Sequence, residues 1–523
     1  MDADVLVVGA GPVGQAVAAT LGNAGLRVVL LEAGDRKPSN RATLPAAGEV
    51  VGDDRYGLLE WKVTRALGGT SWQWAIDMPG VGVGVRYCAL EQAVIERRID
   101  GLPMWPIGMD DLEPLYERAL DIVGVPGHLK HLVAERESAI DGMKGGQYAF
   151  GDRAVFHGAT ALQRVGPRVQ VRMNATVVAL HPDPVRPGAL AGVDVRDAAG
   201  QVHTVTARAV VLATNTFEAV RLVLLARPEM TSLQRNECVG SGLMDRPRLG
   251  GTLHLVSSPP AGFAALAMHD VDGVASMDRL CTPDPLVRSG ASSIGLILVP
   301  EFGVMRLRRR AERLSHGALV SLPRRVEGVA TQRFGKRVGG WIVDASTRSY
   351  RWRAALHRRG VASNFDLEWA HWAGREWRRA TDWRVTAIVE QLPDHRNRIE
   401  LSDAVDNHGT PMPRVRWGAP MSVDAIRPSL DHASAATKAA NLGTLGWNDE
   451  YDAVTSHHMM GGLPFGTDST TSACDPSGLV RGTSNLFAAG SCLFPTSGHS
   501  NPTLTAVALG IHVAQEIRRT LSG

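Results

Sequence analysis

Three glycines near the start of the chain, Gly9, Gly11 and Gly14, stand in the spacing G-x-G-x-x-G, and an acid, Glu32, follows eighteen residues after the last of them. This set has the chemistry to hold a dinucleotide. Gly9 permits a tight turn, Gly11 lets backbone approach a pyrophosphate, and Gly14 lets a helix lie close against a strand. A carboxylate at Glu32 accepts hydrogen bonds from ribose hydroxyls and disfavours a 2′-phosphate. A second set lies near the other end: the pair His457-His458 and the string Phe494-Pro495-Thr496-Ser497-Gly498-His499-Ser500-Asn501. Imidazole titrates near neutral pH and suits proton abstraction. Taken alone, a His-His pair in a turn reads more readily as buried and satisfied than as catalytic.

The neighbouring residues supply the elements that must position these groups. Val5-Leu6-Val7-Val8 reads as a buried parallel strand. Gln15 to Ala24 reads as a helix stopped by Gly25, and Val28 to Leu31 as a second buried strand ending at Glu32. The N-terminus of that helix offers free N–H groups and the positive end of its dipole to phosphates. The motif therefore has its full strand–turn–helix–strand context, although this region does not separate FAD from NAD. Near the C-terminus, Asn485 to Ser491 reads as a strand entering a small-residue turn, and Leu504 to about Arg519 as an apolar helix with Asn501 at the N-cap and Pro502 at N1.

The C-terminal stretch, F-P-T-S-G-H-x-N-P-T-L-T with Asn485-Leu486-Phe487-Ala488-Ala489-Gly490-Ser491 upstream, resembles the signature of the glucose–methanol–choline (GMC) oxidoreductases. It is most similar to their pyranose oxidase and bacterial glycoside 3-oxidase branch. Leu67-Gly68-Gly69-Thr70-Ser71 with Trp74 resembles the family's flavin-contacting loop. Trp105-Pro106-Ile107, Asn174-Ala175-Thr176-Val177, Val210 to Thr214 with Glu218, Arg221 and Leu222, Leu243-Met244-Asp245 with Pro247 (family L-M-D-H-P), and Asn397-Arg398-Ile399 resemble further family segments.

The resemblance implies non-covalent FAD and oxidation of an alcohol to a carbonyl, with a base taking the hydroxyl proton while hydride passes to flavin N5. It implies His458 of His458-Met459-Met460-Gly461 as the base, Asn501 as its partner on the same oxygen, and His457 as the rival base if the alignment shifts by one residue. It implies FAD contacts at Gly9, Gly11, Gly14, Glu32, Gly69, Thr70, Ser71, Trp74, Val177, Ala213, Gly490, Ser491, Asn501 and Thr503. Gln73 and His499 are candidate substrate-side residues. Gln73 also stands where some relatives carry a histidine that tethers FAD, and glutamine cannot form that link. The substrate implied is a sugar or glycoside with a secondary hydroxyl at C3 or C2, and the acceptor is O2 or another oxidant. Oxidation of a glycosylated or polycyclic natural-product intermediate, or a GMC-fold lyase with structural flavin, are the alternatives.

The 523 residues have an ordinary globular balance, 44% hydrophobic and 21% charged, and a net charge of +3, which argues against a nucleic-acid partner. Five widely spaced cysteines form no C-x-x-C pair, so neither a disulfide framework nor a metal site is expected. There is no apolar run of about 18 residues and no signal-peptide pattern. A soluble, cytoplasmic protein is expected, with homo-oligomerisation open.

The expected fold class is α/β: a Rossmann-like FAD-binding domain (the GMC fold) from about 1–80, 160–250 and 450–523. It is interleaved with an α+β substrate-binding domain from 81–159 and 251–449, built on an antiparallel sheet. An insert at about 300–385 is basic and Trp-rich. Between 306 and 359 fifteen basic residues face three acids, read as a solvated face or oligomerisation arm before an anion or lipid contact. Trp369, Trp372 and Trp377 would share one helical face, as core or interface before a substrate lid.

Overall fold

The structure is a computed structural model that describes residues 2–38, 48–52, 56, 59, 62–74, 76–78, 82–301, 375–406, 409–418, 423–448, 454–455 and 457–522. The first strand, Ala3–Val8, runs through the middle of a parallel sheet and is almost wholly buried. Continuous β-branched and leucine residues suit it, because both faces are covered. Val28–Leu31 pairs with one side of it and Val202–Leu212 with the other, both in parallel. Val169–Arg172 extends the sheet beyond Val28–Leu31, and Leu486–Ala488 lies parallel to the end of Val202–Leu212.

The eleven-residue strand Val202–Leu212 serves two sheets. Its second half belongs to the parallel sheet, and its first half pairs antiparallel with Leu190–Arg196, which in turn pairs with Thr176–Pro182. Helix Pro12–Asn23 lies on the parallel sheet, and helix Pro502–Ser522 packs against it. Gly510 permits the close approach, since a Cβ there would sit 3.0 Å from Val13 Cγ1.

The second sheet has ten strands among the described residues. Its main path runs Gly443–Trp447, Pro247–Leu255, Asp382–Val389, Ile294–Pro300, Val274–Cys281, Lys144–Asp152, Gly82–Tyr87, Ile76–Met78, and the pairings are antiparallel. One face is apolar: Leu249, Leu253, Leu296, Val385 and Ala387 are buried with Ile426, Leu430 and Ala433 of helix Val423–Ala439. Trp377 and Trp383 sit in this core with ring centroids 6.3 Å apart. The basic run and Trp341, Trp352, Trp369 and Trp372 lie outside the described residues.

A third sheet joins Glu49–Gly52, Asn397–Val405 and Pro411–Trp417. Its Ile399, Val415 and Trp417 enter the core around the parallel sheet, not the core of the ten-stranded one. Residues 397–417, expected in the substrate domain over 251–449, thus pack with the parallel sheet instead. Helix Thr216–Ala226, which follows the parallel strand Val202–Leu212, is what this small sheet packs against. The parallel sheet beside an antiparallel one is the expected α/β architecture. Among the described residues, no helix is long and apolar enough to cross a membrane.

Candidate active site

A cleft with about 1250 Å³ of atom-free space, open to solvent, lies at the carboxyl ends of the parallel strands, where Val8, Leu31 and Ala213 line it. Ligands of open α/β sheets bind at this end. Gly9 turns the chain there at φ +99°, in the left-handed region. Gly14 lies behind the turn, and a Cβ on it would fall 1.8 Å from the Gly9 carbonyl oxygen. No side chain caps the first turn of helix Pro12–Asn23, so its N–H groups remain for a ligand. Beside Gly11, the place of a missing Cβ has no atom within 4 Å.

Glu32 is buried, and its two oxygens accept N–H bonds from Ala10 and Gly34, both at 2.9 Å. Burial raises its pKa against the lowering effect of those bonds. A carboxylate has about four acceptor positions, so capacity for ribose hydroxyls remains. Ala175 N–H donates to the Glu32 carbonyl at 2.8 Å and brings Thr176 and Val177 to the same part of the cleft. Loop Gly68–Trp74 covers the glycine turn: Gly68 N–H donates to Ala10 O at 2.9 Å, and Gly69, Thr70, Ser71 and Trp74 line the cleft. These features fit FAD: an acid for a ribose, an uncapped helix terminus for the pyrophosphate, and an elongated, walled space.

His457, His458, Met459, Ser491 and Thr503 line the rest of the cleft. Ser491 Oγ–H and Thr216 Oγ1–H donate to the Met459 carbonyl at 2.9 and 3.2 Å, tying the histidine loop to the sheet end. Gly490 stands behind the wall, against Val13. His457 has φ +58°, rare for a bulky residue. Among the described residues none hydrogen-bonds the His457 ring, whereas His458 belongs to a network.

At the centre of that network is a residue the sequence reading missed. Arg246, 1% exposed, places Nη2 3.2 Å from His458 Nδ1, 3.4 Å from Nε2 and 3.1 Å from Asn501 Oδ1; its Nη1 donates to the His499 carbonyl. An antiparallel bridge between Met244 and Met460 positions it. Asp245 completes the join, accepting N–H bonds from Arg246 at 2.7 Å and His458 at 3.0 Å and pairing with buried Lys62 at 3.3 Å. Burial first, and then the cations Arg246, Arg248 and Arg86, hold the His458 pKa well below the usual histidine range. The signal in the sequence was the departure from L-M-D-H-P at its fourth position.

Asn501, directly before the helix that begins at Pro502, is buried and is not part of the cleft lining; it is linked to His458 through Arg246. His499 does not line the cleft. It is fully buried, with Nδ1 2.5 Å from both Glu91 Oε1 and Ser293 Oγ, and Nε2 2.7 Å from Arg279 Nη1. Gln73 is exposed, and its amide donates to Thr64 Oγ1 at 2.8 Å.

The cleft lies at the strand ends of a Rossmann-like sheet and carries a glycine turn, a buried acid and two histidines, which fits a flavoprotein oxidoreductase. Residues 4–267 match the FAD dependent oxidoreductase family, and residues 393–510 match the GMC oxidoreductase family. The chain belongs to the GMC oxidoreductases, FAD-dependent enzymes acting on CH–OH groups. It is similar to a C-glycoside 3-oxidase of Microbacterium trichothecenolyticum, 32% identical over 24% of this chain and 26% of that protein. It is also similar to the fructose dehydrogenase large subunit of Gluconobacter japonicus, 22% identical over 100% of this chain and 98% of that one. Among solved structures, a formate oxidase of Aspergillus oryzae superposes with TM-score 0.55 at 15% identity, covering 99% of this chain and 98% of that one. A fungal aryl-alcohol oxidase superposes with TM-score 0.54 at 14% identity, covering 100% of both. These two share the fold.

Proposed function

We propose that the protein oxidises a secondary hydroxyl of a sugar or glycoside, at C3 or C2, to a ketone, with His458 as base and Asn501 as its partner on the same oxygen. The observation that carries this reading is the convergence of His458 and Asn501 on one guanidinium group beside the cleft. Bound FAD supplies the two-electron acceptor. The chain's residues do the rest: His458 takes the hydroxyl proton, Asn501 orients the oxygen, and Asp245 fixes the histidine backbone. Similarity to a C-glycoside 3-oxidase and a fructose dehydrogenase supports a sugar. The test is an anaerobic panel of glycosides: a substrate bleaches the yellow flavin, and product NMR locates the new carbonyl. A flavin that stays yellow with every sugar refutes the sugar reading.

The pH dependence follows from the surroundings of His458. A base works in its neutral form. With its pKa held below about 6.5 by burial and by Arg246, Arg248, Arg86 and His457, His458 stays neutral as pH falls from 8 to 6. The rate of flavin reduction should therefore hold across that range and fall only at lower pH. In Arg246→Gln the acid limb should move up toward 6.5, as seen in stopped-flow pH profiles.

We further propose that FAD is held without a covalent bond, since Gln73 is glutamine and faces solvent beside Thr64. Acid precipitation should leave the yellow colour in the supernatant.

A further inference from the structure

The face of the ten-stranded sheet turned to the histidines is lined with guanidinium groups. In an antiparallel pair, directly opposed residues point to the same face, and so do residues two apart on one strand. Arg86 opposes Phe150, two residues from Tyr148; Tyr148 opposes Met277, two residues from Arg279. The row continues from Cys281 to Gly295, from Gly295 to Ile388, and from Ile388 to Arg248. Arg384 shares it, four residues from Ile388 and opposite Thr252. Arg86 and Arg279 both lie over the Tyr148 ring, 5.1 and 4.8 Å from its centroid. A Cβ on Gly295 would meet His499 Cδ2 at 2.3 Å, which places the segment leading to Asn501 directly on this face.

Arg246, two residues before Arg248, is the member nearest the proposed chemistry. Among the described residues no carboxylate forms an ion pair with it, and its buried Nε has no hydrogen-bond partner. Asp245, adjacent in the chain, is committed to Lys62 and to two backbone N–H groups. Asp382 shares the arginine face but lies at its far end, bonded to His254 at 2.6 Å. A buried guanidinium without a carboxylate, on a face bearing further arginines, is chemistry for an oxyanion: the planar fork matches carboxylate and phosphate alike. A neutral sugar would leave this charge unanswered.

Resting on the reading that the substrate is a sugar alcohol, we propose that this sugar is anionic and that Arg246 and Arg248 hold its carboxylate or phosphate group beside the hydroxyl that meets His458 and Asn501. Arg248 is reached by solvent and is the position to alter.

The experiment compares matched substrates on the FAD-loaded full chain: glucose, glucuronate, glucose 6-phosphate, and lactate as a non-sugar hydroxy acid. Flavin reduction is followed anaerobically and ligand binding by thermal shift. An anionic sugar should exceed glucose about tenfold or more in kcat/KM, as expected for a charge-assisted contact. That ratio should collapse toward one in Arg248→Gln and in high salt, and survive in Arg248→Lys. Preference for glucuronate assigns a carboxylate, and preference for glucose 6-phosphate a phosphate. If Arg248→Gln does not fold, the salt dependence of the wild type decides the point. Glucose reacting as well as both acids overturns the anion inference and leaves the sugar reading standing. Lactate alone reacting refutes the sugar and keeps the anion. The absence of any difference between anions and glucose, in reduction and in thermal shift, overturns the inference.

Discussion

His458→Ala should retain its flavin and lose flavin reduction by about 10²- to 10⁴-fold, the usual contribution of a positioned general base. The separation of the two effects is the informative part. His458 lines the cleft, but the groups proposed to hold FAD are elsewhere in it: the glycine turn, Glu32 and the loop Gly69–Trp74. Removing one imidazole leaves these intact. The measurement is anaerobic stopped-flow absorbance with the best substrate of the panel, alongside flavin content after gel filtration. His457→Ala is the control. Its ring makes no hydrogen bond among the described residues, so its reduction rate should stay far closer to wild type. Full activity in His458→Ala, or a larger loss in His457→Ala, would transfer the role of base.

Gly14→Ala should bind FAD more weakly and purify with less of it. A Cβ at this position would lie 1.8 Å from the Gly9 carbonyl oxygen and 3.5 Å from Ala213 Cβ. The first contact is backbone, so no side-chain rotation relieves it; helix Pro12–Asn23 would have to move away from the turn. Overpacking of this kind costs about 1–3 kcal/mol in cores. Here the displaced atoms belong to the turn proposed to hold the pyrophosphate, so FAD affinity should fall roughly ten- to a hundredfold for that cost. The readout is the flavin absorbance of the purified protein, with the melting temperature before and after adding FAD. A fully yellow, wild-type-like Gly14→Ala would mean that the first βαβ unit does not grip the cofactor.

Both expectations start from local patterns, and local patterns were the legible part of this chain. The strand, glycine turn, helix and second strand are each written in adjacent residues. Apolar β-branched runs specify buried strands, and the G-x-G-x-x-G spacing has few other uses in that context. The observed Val28–Leu31 has the expected bounds, and Ala3–Val8 and Pro12–Asn23 differ from theirs only at the ends. The C-terminal helix begins at Pro502 for an equally local reason, the fixed φ of proline at N1. In the basic, Trp-rich insert the spacing offered only one helical face of Trp369, Trp372 and Trp377; of its tryptophans Trp377 and Trp383 are described, both in the core of the ten-stranded sheet.

What the sequence by itself determined was the strand–turn–helix–strand unit, the cofactor class and the family. What only the tertiary structure decided was the company His458 keeps. Arg246 meets His458 and Asn501 across separations of 212 and 255 residues. The arginines of the sheet face come from strands far apart in the chain and are united only by register. Periodicity and turn chemistry act between near neighbours, whereas strand pairing is chosen by the burial of whole faces. One residue of slip would have turned every one of those guanidinium groups into the apolar core.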